Sequence, residues 1–243
     1  MKIVSWNCRF GFSEEKAKYI KNYEADLYVI QECLEKDLDS VKNYFINKSF
    51  YCDNVESKYG VGIFSDIYSF QILPEHNLNF RYIVPYKIYN DDTDFILFSI
   101  WTKDKDEKNN KIEYTEQTWK AINYEDYKKY LSKSIILIGD YNSNNFWDKK
   151  YIQQNKPSHN DIITKLENYG IESAYHKFYN CIDGNEIDPT LLWKMDKNNK
   201  FHIDYCFISM DYRINNIKIG SIEDWEKNKL SDHCPLIVDI SKL

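Results

Sequence analysis

The sequence predicts an α+β protein, a four-layered α/β sandwich in which two packed, mainly antiparallel β-sheets are flanked by helices. Short apolar runs of strand-like composition occupy both halves of the 243-residue chain, and turn signals separate them. Amphipathic segments of helical length lie between these strand-rich parts. Two sheets that pack face to face under outer helices account for both observations, because each sheet must bury its apolar face.

The chain is expected to form one domain over residues 1–243. No internal repeat and no linker rich in Pro, Gly or Ser divides it, and a hydrophobic content of 43% is sufficient to bury a core. The first residues, MKIVSWNC, lack the features of a signal peptide, and no run approaches the roughly 20 apolar residues of a membrane-spanning helix. We therefore expect a cytoplasmic location.

Charge and cysteine usage argue against two further classes of protein. The net charge of −6 disfavours unselective phosphate binding over the whole surface, although it leaves room for a local basic patch. The six cysteines show no C-x-x-C pair, and several lie in apolar runs. Buried free thiols therefore fit better than disulfides or a zinc site.

In the N-terminal half, strands alternate with helices before a run of strands begins. KIVSW is predicted to be a strand, Ser13 begins a helix that continues to about Tyr23, and ADLYVIQE is a second strand. A second helix is predicted from Glu35 to Asn47. The closely spaced strands that follow predict a mainly antiparallel meander: SFYCD, VGIFS, YSFQIL, YIVPYKIY and DFILFSIWT.

The C-terminal half repeats this alternation. The polar stretch from Lys103 to Lys111 is predicted to be a loop, and Glu113 to Leu131 a helix with Tyr and Trp on one side. SIILIGDYN is a buried strand that ends in polar residues, and a further helix is expected from His159 to Tyr169. The remaining strands are expected around SAYH, PTLLWK, HIDYCFIS, INNIKIGSI and CPLIVDI.

Polar side chains that could perform chemistry recur where the apolar runs stop. They are Asn7 after IVSW, Gln31 and Glu32 after LYVI, Asp140 and Asn142 after IILIG, Asp204 within HIDY, and Asp232 with His233 before PLIVDI. Ligands tend to bind beyond strand ends, where a rigid scaffold holds loop residues. One Glu and several Asp can hold a hard cation such as Mg²⁺. Each residue alone has an ordinary explanation as a turn or a solvated strand end, but their joint occurrence favours a site.

The motifs SWNCR, VIQE, GDYN, HIDY and SDH, in this order, resemble those of the endonuclease/exonuclease/phosphatase superfamily. That superfamily includes pancreatic deoxyribonuclease, abasic-site endonucleases, inositol polyphosphate phosphatases and neutral sphingomyelinases. The motifs extend from Ser5 to His233, so the resemblance covers nearly the whole chain. Each motif is weak alone, whereas GDYN followed by HIDY and a terminal SDH is specific as a set.

The resemblance implies a hydrolase of phosphate esters that depends on a divalent metal, Mg²⁺ or Mn²⁺. Glu32 would be the principal metal ligand, with Asn7 beside it and Asp232 able to approach the same ion. An ion held in this way would complete its shell with water and substrate phosphate oxygens.

The resemblance also implies roles for four catalytic residues. Asp140 would orient or deprotonate the attacking water. Asn142 would hydrogen-bond a nonbridging phosphate oxygen, and His233 would contact the phosphate and stabilise developing charge. Asp204 would accept a hydrogen bond from the other ring nitrogen of His233 and so select its tautomer.

Two positions depart from the superfamily pattern. Trp101 stands where many members place His or Tyr, and an indole N–H can donate a hydrogen bond but cannot shuttle a proton. A different leaving-group acid is therefore expected, with Lys103 and Tyr141 as candidates. Arg9 follows WNC and could bind substrate phosphate in place of a second metal, and Trp147 could stack on a base or sugar. The expected substrate-binding residues are Asn7, Arg9, Trp101 and Trp147.

The function that the sequence favours is a phosphodiesterase, specifically an endo- or exonuclease with nucleic acid as its substrate. Two alternatives remain: a phosphatase or phospholipase-type phosphodiesterase acting on an inositol phosphate or a phospholipid head group, and a non-catalytic phosphate-binding protein. A monomer is expected, and no specific protein partner can be read from the sequence. His76, His159 and His176 lie in no motif, so packing roles are assigned to them first.

Overall fold

The computed structural model describes residues 1–53, 58–105, 108 and 110–243. Two six-stranded β-sheets pack face to face, and helices cover their outer faces. Sheet I contains, in spatial order, β13 (Tyr212–Ile219), β14 (Leu236–Lys242), β1 (Lys2–Asn7), β2 (Leu27–Leu34), β4 (Tyr59–Ser65) and β3 (Asn47–Tyr51). Sheet II contains β5 (Ser69–Ile72), β6 (Ile83–Tyr89), β7 (Asp94–Trp101), β8 (Ile135–Asp140), β12 (Asp204–Ser209) and β9 (Ile171–Ser173). The predicted α+β sandwich is confirmed.

Most neighbouring strands are antiparallel, as predicted, and each sheet also contains one parallel pair. The parallel pairs are β1 with β2 and β7 with β8. A separate ribbon is formed by two short strands, β10 (Leu191–Leu192) and β11 (Lys200–Phe201). The α-helices are α1 (Glu14–Lys21), α2 (Asp37–Ser40), α3 (Tyr114–Asn123), α4 (Glu125–Leu131), α5 (Asp148–Gln153), α6 (His159–Glu167), α7 (Ala174–Tyr179) and α8 (Ile222–Asn228).

Alternate residues of the central strands enter different cores. On β1, Ile3 lies in the core between the two sheets, whereas Val4 lies in the core on the outer face of sheet I. On β8, Ile136 and Ile138 face the inter-sheet core, and Leu137 faces the core outside sheet II. Because side chains alternate along a strand, a strand buried on both faces reads as a continuous apolar run.

Helices complete the two outer cores. Ser13 caps α1 by accepting a hydrogen bond from the Lys16 N–H, and Ile20 of that helix packs on sheet I. Helices α3, α4 and α6 pack on sheet II through apolar side chains such as Leu131 and Ile162. Among the residues that the structure describes, no helix combines the length and the apolar character needed to cross a membrane.

The helix predicted from Glu35 to Asn47 is wrong, because only the single turn α2 forms there. The Asp37 carboxylate accepts hydrogen bonds from the N–H groups of Phe12 and Leu34, at 2.6 and 2.8 Å. These bonds attach Asp37 to the segment around Phe12 and to the end of β2, so the chain after α2 forms a loop. Contacts from outside the segment therefore outweigh its local helical pattern.

The segment from Glu113 to Leu131 forms two helices rather than the predicted one. Tyr124 has an extended backbone, with ψ at 130°, and it separates α3 from α4. This break lets the Phe80 and Tyr127 rings pack edge to face 5.4 Å apart in the core of sheet II. The preceding loop, predicted from Lys103 to Lys111, includes residues 106, 107 and 109, which lie outside the described residues.

Three other predictions near the C-terminus need correction. The strand expected around SAYH ends at Ser173, and α7 begins at the next residue. PTLLWK contributes only the two residues of β10. The strand in INNIKIGSI ends at Ile219, since Ser221 caps α8 by accepting from the Asp224 N–H. The six cysteines are free thiols, as expected.

We predict that Gly139→Ala destabilises the protein by about 2 to 4 kcal/mol. Gly139 has φ at +146°, and a Cβ there would lie 1.9 Å from the Ile100 carbonyl oxygen on β7. Urea unfolding of both proteins measures the difference. Gly184→Ala is the control, because Gly184 also has positive φ, at +87°, but its Cβ would meet no atom closer than 3.7 Å. Equal losses in the two variants would contradict the proposed clash.

Candidate active site

Three buried side chains, Asp140, Asp204 and His233, meet where the ends of the two sheets adjoin. His233 Nδ1 lies 2.9 Å from Asp204 Oδ2, and His233 Nε2 lies 3.9 Å from Asp140 Oδ2. The two aspartates belong to sheet II, whereas His233 precedes β14 of sheet I. The cluster therefore joins the two sheets at one end.

The pairing of β8 with β12 brings the two carboxylates together. Asp140 ends β8 directly opposite Asp204, which begins β12. The chain then turns at Asn142, whose φ is +49°, a conformation that Asn tolerates better than most residues. The backbone N–H and Nδ2 of Asn142 donate to the two oxygens of Asp140, at 2.9 and 3.0 Å. This turn holds the Asn142 amide beside the carboxylate.

The segment that carries His233 is attached to the end of β1. Ser231 Oγ donates to the Asn7 carbonyl at 2.7 Å and accepts from the His233 N–H at 3.0 Å. Trp6 Nε1 donates to the His233 carbonyl, and Trp225 Nε1 donates to the Ser231 carbonyl. The position of the imidazole is therefore determined by backbone and side-chain bonds on both sides of it.

The charges of the cluster are strongly coupled. Burial alone would lower the pKa of His233, but the carboxylates of Asp204 and Asp140 outweigh it and raise the pKa to about 10. Burial, assisted by the charge of Asp204, raises the pKa of Asp140 to about 7 against the opposing effect of His233. At neutral pH the imidazole is thus protonated and lies between the two aspartates.

Asn7 links this cluster to Glu32. Its Nδ2 donates to Asp140 Oδ2 at 2.9 Å and to Glu32 Oε1 at 3.1 Å. Glu32 has φ at +62° and lies where the register of β2 against β4 shifts between Gln31 and Cys33. Such a bulge redirects a side chain and stores backbone strain, and both features concentrate at functional sites.

Arg9 and Asp232 lie at the more exposed side of the site. Arg9 Nε is 3.6 Å from Asp232 Oδ2, and both side chains are partly exposed. The Arg9 backbone N–H donates to Asn7 Oδ1 at 3.0 Å. The two neighbours in the SDH motif therefore have different partners, because Asp232 pairs with Arg9 whereas His233 pairs with Asp204.

The oxygen atoms that Glu32 and its neighbours offer as ligands suit a hard divalent cation. Its carboxylate accepts from Asn7 Nδ2 and from the Phe10 N–H, at 3.1 Å each. No Lys, Arg or His in the described part of the chain forms an ion pair with it, so its charge is uncompensated. Oxygen donors of this type, from Glu32, Asn7 and Asp232, are those that Mg²⁺ and Mn²⁺ prefer.

A cleft of about 340 Å³ opens beside Asn142. Aromatic rings dominate its lining, and Trp147 lies at one side with its ring centre 5.0 Å from that of Phe201. The other aromatic residues that line it are Tyr114, Tyr151 and Trp193. Of these aromatic residues, only Trp147 was expected from the sequence to line the site. The signal that could have revealed Phe201, which packs against Trp147, was its position directly before HIDY.

The structure does not bring Trp101 to the surface of the site. Its side chain is 3% exposed and packs in the inter-sheet core, with its ring centre 4.7 Å from that of Tyr82. Lys103 Nζ lies 4.1 Å from the centre of the Trp101 ring. Tyr141 is fully buried in the core outside sheet II, where burial raises the pKa of its hydroxyl well above the ordinary value. Of the two candidate leaving-group acids, only Lys103 is partly exposed.

Solved structures share this fold over the whole chain. An endonuclease/exonuclease/phosphatase from Beutenbergia cavernae is 11% identical, with a TM-score of 0.67 over 100% of this chain and 71% of that one. The endonuclease domain of TRAS1, a telomere-specific non-LTR retrotransposon, is 18% identical, with a TM-score of 0.60 over 99% and 98% of the two chains. A mannosyl-6-phosphatase from Bacteroides thetaiotaomicron is 14% identical, with a TM-score of 0.64 over 99% of both chains.

The chain therefore has the fold of the endonuclease/exonuclease/phosphatase superfamily, which confirms the fold implied by its motifs. The sequence itself matches no protein-family model and has no significant match among curated proteins. At identities below a fifth, the similarity of the solved structures establishes the architecture, and the roles of individual residues stay predictions.

The ion pair of His233 should make the protein less stable as pH rises. The pKa of His233 in the folded protein, about 10, exceeds the ordinary value of 6.5, so its contribution to stability is complete below pH 6.5 and is lost as pH rises through 10. The free energy of unfolding of Asp140→Asn should therefore decline across this range relative to that of the Asp140→Asn, His233→Asn double variant, a pair in which Asp140 does not titrate. Urea unfolding in EDTA measures it, and a constant difference would show that the pKa is not raised.

Proposed function

We propose that this protein is a divalent-metal-dependent phosphodiester hydrolase that cleaves nucleic acid. The observation that carries the proposal is a continuous array of polar contacts, from Glu32 through Asn7 to Asp140 and on to His233. It places Glu32, a carboxylate that can bind a metal ion, near Asp140, which can orient water, and His233, which can bind phosphate. A structural ion pair alone would not require the strained backbone of Glu32.

Asp140 is the group proposed to activate the attacking water. A pKa of about 7 makes its carboxylate a stronger base than an ordinary aspartate while leaving much of it ionised at neutral pH. Hydrogen bonds from Asn7 and Asn142 direct its oxygens. Water held by Asp140 would therefore meet the phosphorus from a defined direction.

His233 and Asn142 are proposed to stabilise charge on the phosphate. The protonated imidazole can donate from Nε2, because its Nδ1–H is already held by Asp204. Asn142 Nδ2 lies 3.0 Å from Asp140 Oδ2, the oxygen that His233 Nε2 also faces, and supplies a second donor. Donors that are fixed before the reaction lower the barrier, since they need no rearrangement as charge develops.

Glu32, with Asn7 and Asp232, is the set proposed to hold Mg²⁺ or Mn²⁺. When bound, the ion would supply positive charge to the phosphate and leaving-group oxygens. Asn7 would lie beside the ion, because its Nδ2 contacts Glu32 and its carbonyl is held by Ser231 Oγ. Arg9, next to Asp232, adds a fixed positive charge at the entrance.

The aromatic cleft beside Asn142 favours nucleic acid as the substrate. Stacking on exposed rings binds bases without a sequence requirement, and a Trp147 ring beside Phe201 offers such a surface. The TRAS1 domain with the same fold is an endonuclease. A second candidate is a phosphatase, because a mannosyl-6-phosphatase shares the fold and the cleft is large enough for a sugar phosphate.

We predict that Asp140→Asn and His233→Ala each reduce turnover at least about a hundredfold, because each removes a group acting on the transition state. Hydrolysis of bis(p-nitrophenyl) phosphate and of a labelled DNA duplex is measured in Mg²⁺, in Mn²⁺ and in EDTA. The wild type should cleave both substrates only with metal. Asp92→Asn, in an exposed turn far from the site, serves as the control and should retain full activity.

The outcomes separate the candidate functions. Activity on phosphomonoesters or phospholipid head groups alone would replace the nuclease by the second candidate. No hydrolysis of any substrate by a folded wild type would leave a phosphate-binding protein. Full activity of either variant would remove that residue from the mechanism.

We also predict that Trp147→Ala raises KM for DNA about tenfold or more, because each stacked base contributes about 1–3 kcal/mol. The kcat for bis(p-nitrophenyl) phosphate should change little, since the catalytic groups are untouched. Phe178→Ala is the control, because Phe178 is an exposed aromatic residue that does not line the cleft. An equal change of KM for both substrates would exclude stacking as the role of Trp147.

A further inference from the structure

A second polar cluster lies on α7 and the segment that follows it. His176 Nε2 lies 2.9 Å from Glu186 Oε1 and 3.1 Å from Asp183 Oδ1. These three ligand atoms all lie within 4.8 Å of one another. None of the three residues belongs to the cluster of His233, so this group has no role in the proposed reaction.

The cluster is largely buried, with the Asp183 side chain 19% exposed, and its charges are not balanced. The Glu186 side chain is 4% exposed, and no Lys or Arg in the described ranges pairs with either carboxylate. Burial raises the pKa of Asp183 to about 6 despite the opposing effect of His176. Burial also opposes the ionisation of Glu186, but hydrogen bonds from His176 and the Gly184 N–H outweigh it and lower its pKa to about 2. One imidazole thus faces two carboxylates, of which Glu186 is buried and Asp183 partly exposed.

A fourth potential ligand, His202, lies against the cluster with a free lone pair. Its Nδ1 is 2.7 Å from the Asp188 carbonyl, which can only accept, so the proton is on Nδ1 and Nε2 is unprotonated. His202 is 4% exposed, and its Nε2 has no hydrogen-bond partner. Burial lowers its pKa and keeps the ring neutral.

The surrounding contacts bring His202 and the cluster together. The ring centres of His202 and His176 are 6.2 Å apart. Asn144 Nδ2 donates to Glu186 Oε1 at 3.1 Å and to the His202 carbonyl at 3.0 Å. A buried imidazole nitrogen with a lone pair and no donor costs free energy unless something occupies it.

We propose that His176, Asp183 and Glu186 form a second metal site, which takes a first-row transition ion such as Zn²⁺ and recruits the neighbouring His202 as its fourth ligand when the ion binds. Two imidazole nitrogens and two carboxylate oxygens match the ligands and the coordination number that Zn²⁺ favours. This chemistry differs from the oxygen-only set around Glu32, so the two sites would hold different ions.

Both imidazoles can bind the ion through Nε2 while Nδ1 keeps a hydrogen-bond partner. The ion takes the place of the proton on His176 Nε2. A neutral imidazole moves that proton to Nδ1, a protonated one releases it to solvent, and both carboxylates remain ionised. His176 Nδ1–H then donates to Ser173 Oγ, 2.7 Å away, as His202 Nδ1–H already does to the Asp188 carbonyl. Metal-binding imidazoles almost always have such a partner on the second nitrogen.

The test is zinc titration of the EDTA-stripped full-length chain carrying Glu32→Gln, which weakens the site proposed for Mg²⁺. We expect one Zn²⁺ per chain by elemental analysis. His176→Gln and Glu186→Gln should weaken binding at least about a hundredfold. Glu167→Gln, which removes a nearby exposed carboxylate that is not a ligand, should bind like the parent.

A second measurement needs no further variant, so misfolding of a ligand variant cannot obscure the result. In the Co²⁺-loaded Glu32→Gln chain, proton NMR should show two paramagnetically shifted, exchangeable imidazole N–H signals, one each from His176 and His202. Absence of zinc binding, equal affinity in a folded His176→Gln variant, or absence of both shifted signals would overturn the proposal. The cluster would then be an ion-pair group without a metal.

Discussion

The ion pair between His233 and Asp204 is the interaction on which the candidate active site depends. It crosses from sheet I to sheet II in a buried environment, where an unpaired charge would be costly. The hydrogen bond from Asn7 to Asp140 makes a second crossing at the same end. The groups proposed for chemistry therefore exist as a set only when the two sheets are packed in this register. A change in the packing of the two sheets would therefore also change the geometry of the site.

The backbone is strained at the sheet ends that carry the site. Glu32 and Asn142 both have positive φ, and each places a polar group at the sheet ends. Gly139 provides the close contact with β7 that puts Asp140 in position. A backbone that departs from regular strand geometry in this way costs free energy, and the packing of the surrounding hydrophobic cores offsets that cost. Asp140, which lies between Gly139 and Asn142, also has a pKa that burial raises to about 7, as expected for a group whose ionisation has been adapted to a function.

The two polar clusters share a structural element. The segment after β8 contributes Asp140 and Asn142 to the candidate active site, and two residues later Asn144 binds Glu186. Anything that orders Glu186 and Asp183 therefore also restrains the loop that holds Asn142. The aromatic cleft lies beside the same loop, so one short segment links the catalytic groups, the proposed substrate surface and the second cluster.

The strands and the candidate residues could be predicted from the amino-acid sequence, because both depend on local patterns. The alternation of Ile3 and Val4 between two cores follows from the period of a strand, and Asp140 could be found because it ends an apolar run. Which side chains meet depends instead on contacts between segments that are distant in the chain. The helix expected after Glu35 is lost to hydrogen bonds between Asp37 and the distant Phe12 N–H. His176 lies in no motif. Its contacts with Asp183 and Glu186, in the loop after α7, and with His202, just before β12, form only when the chain folds.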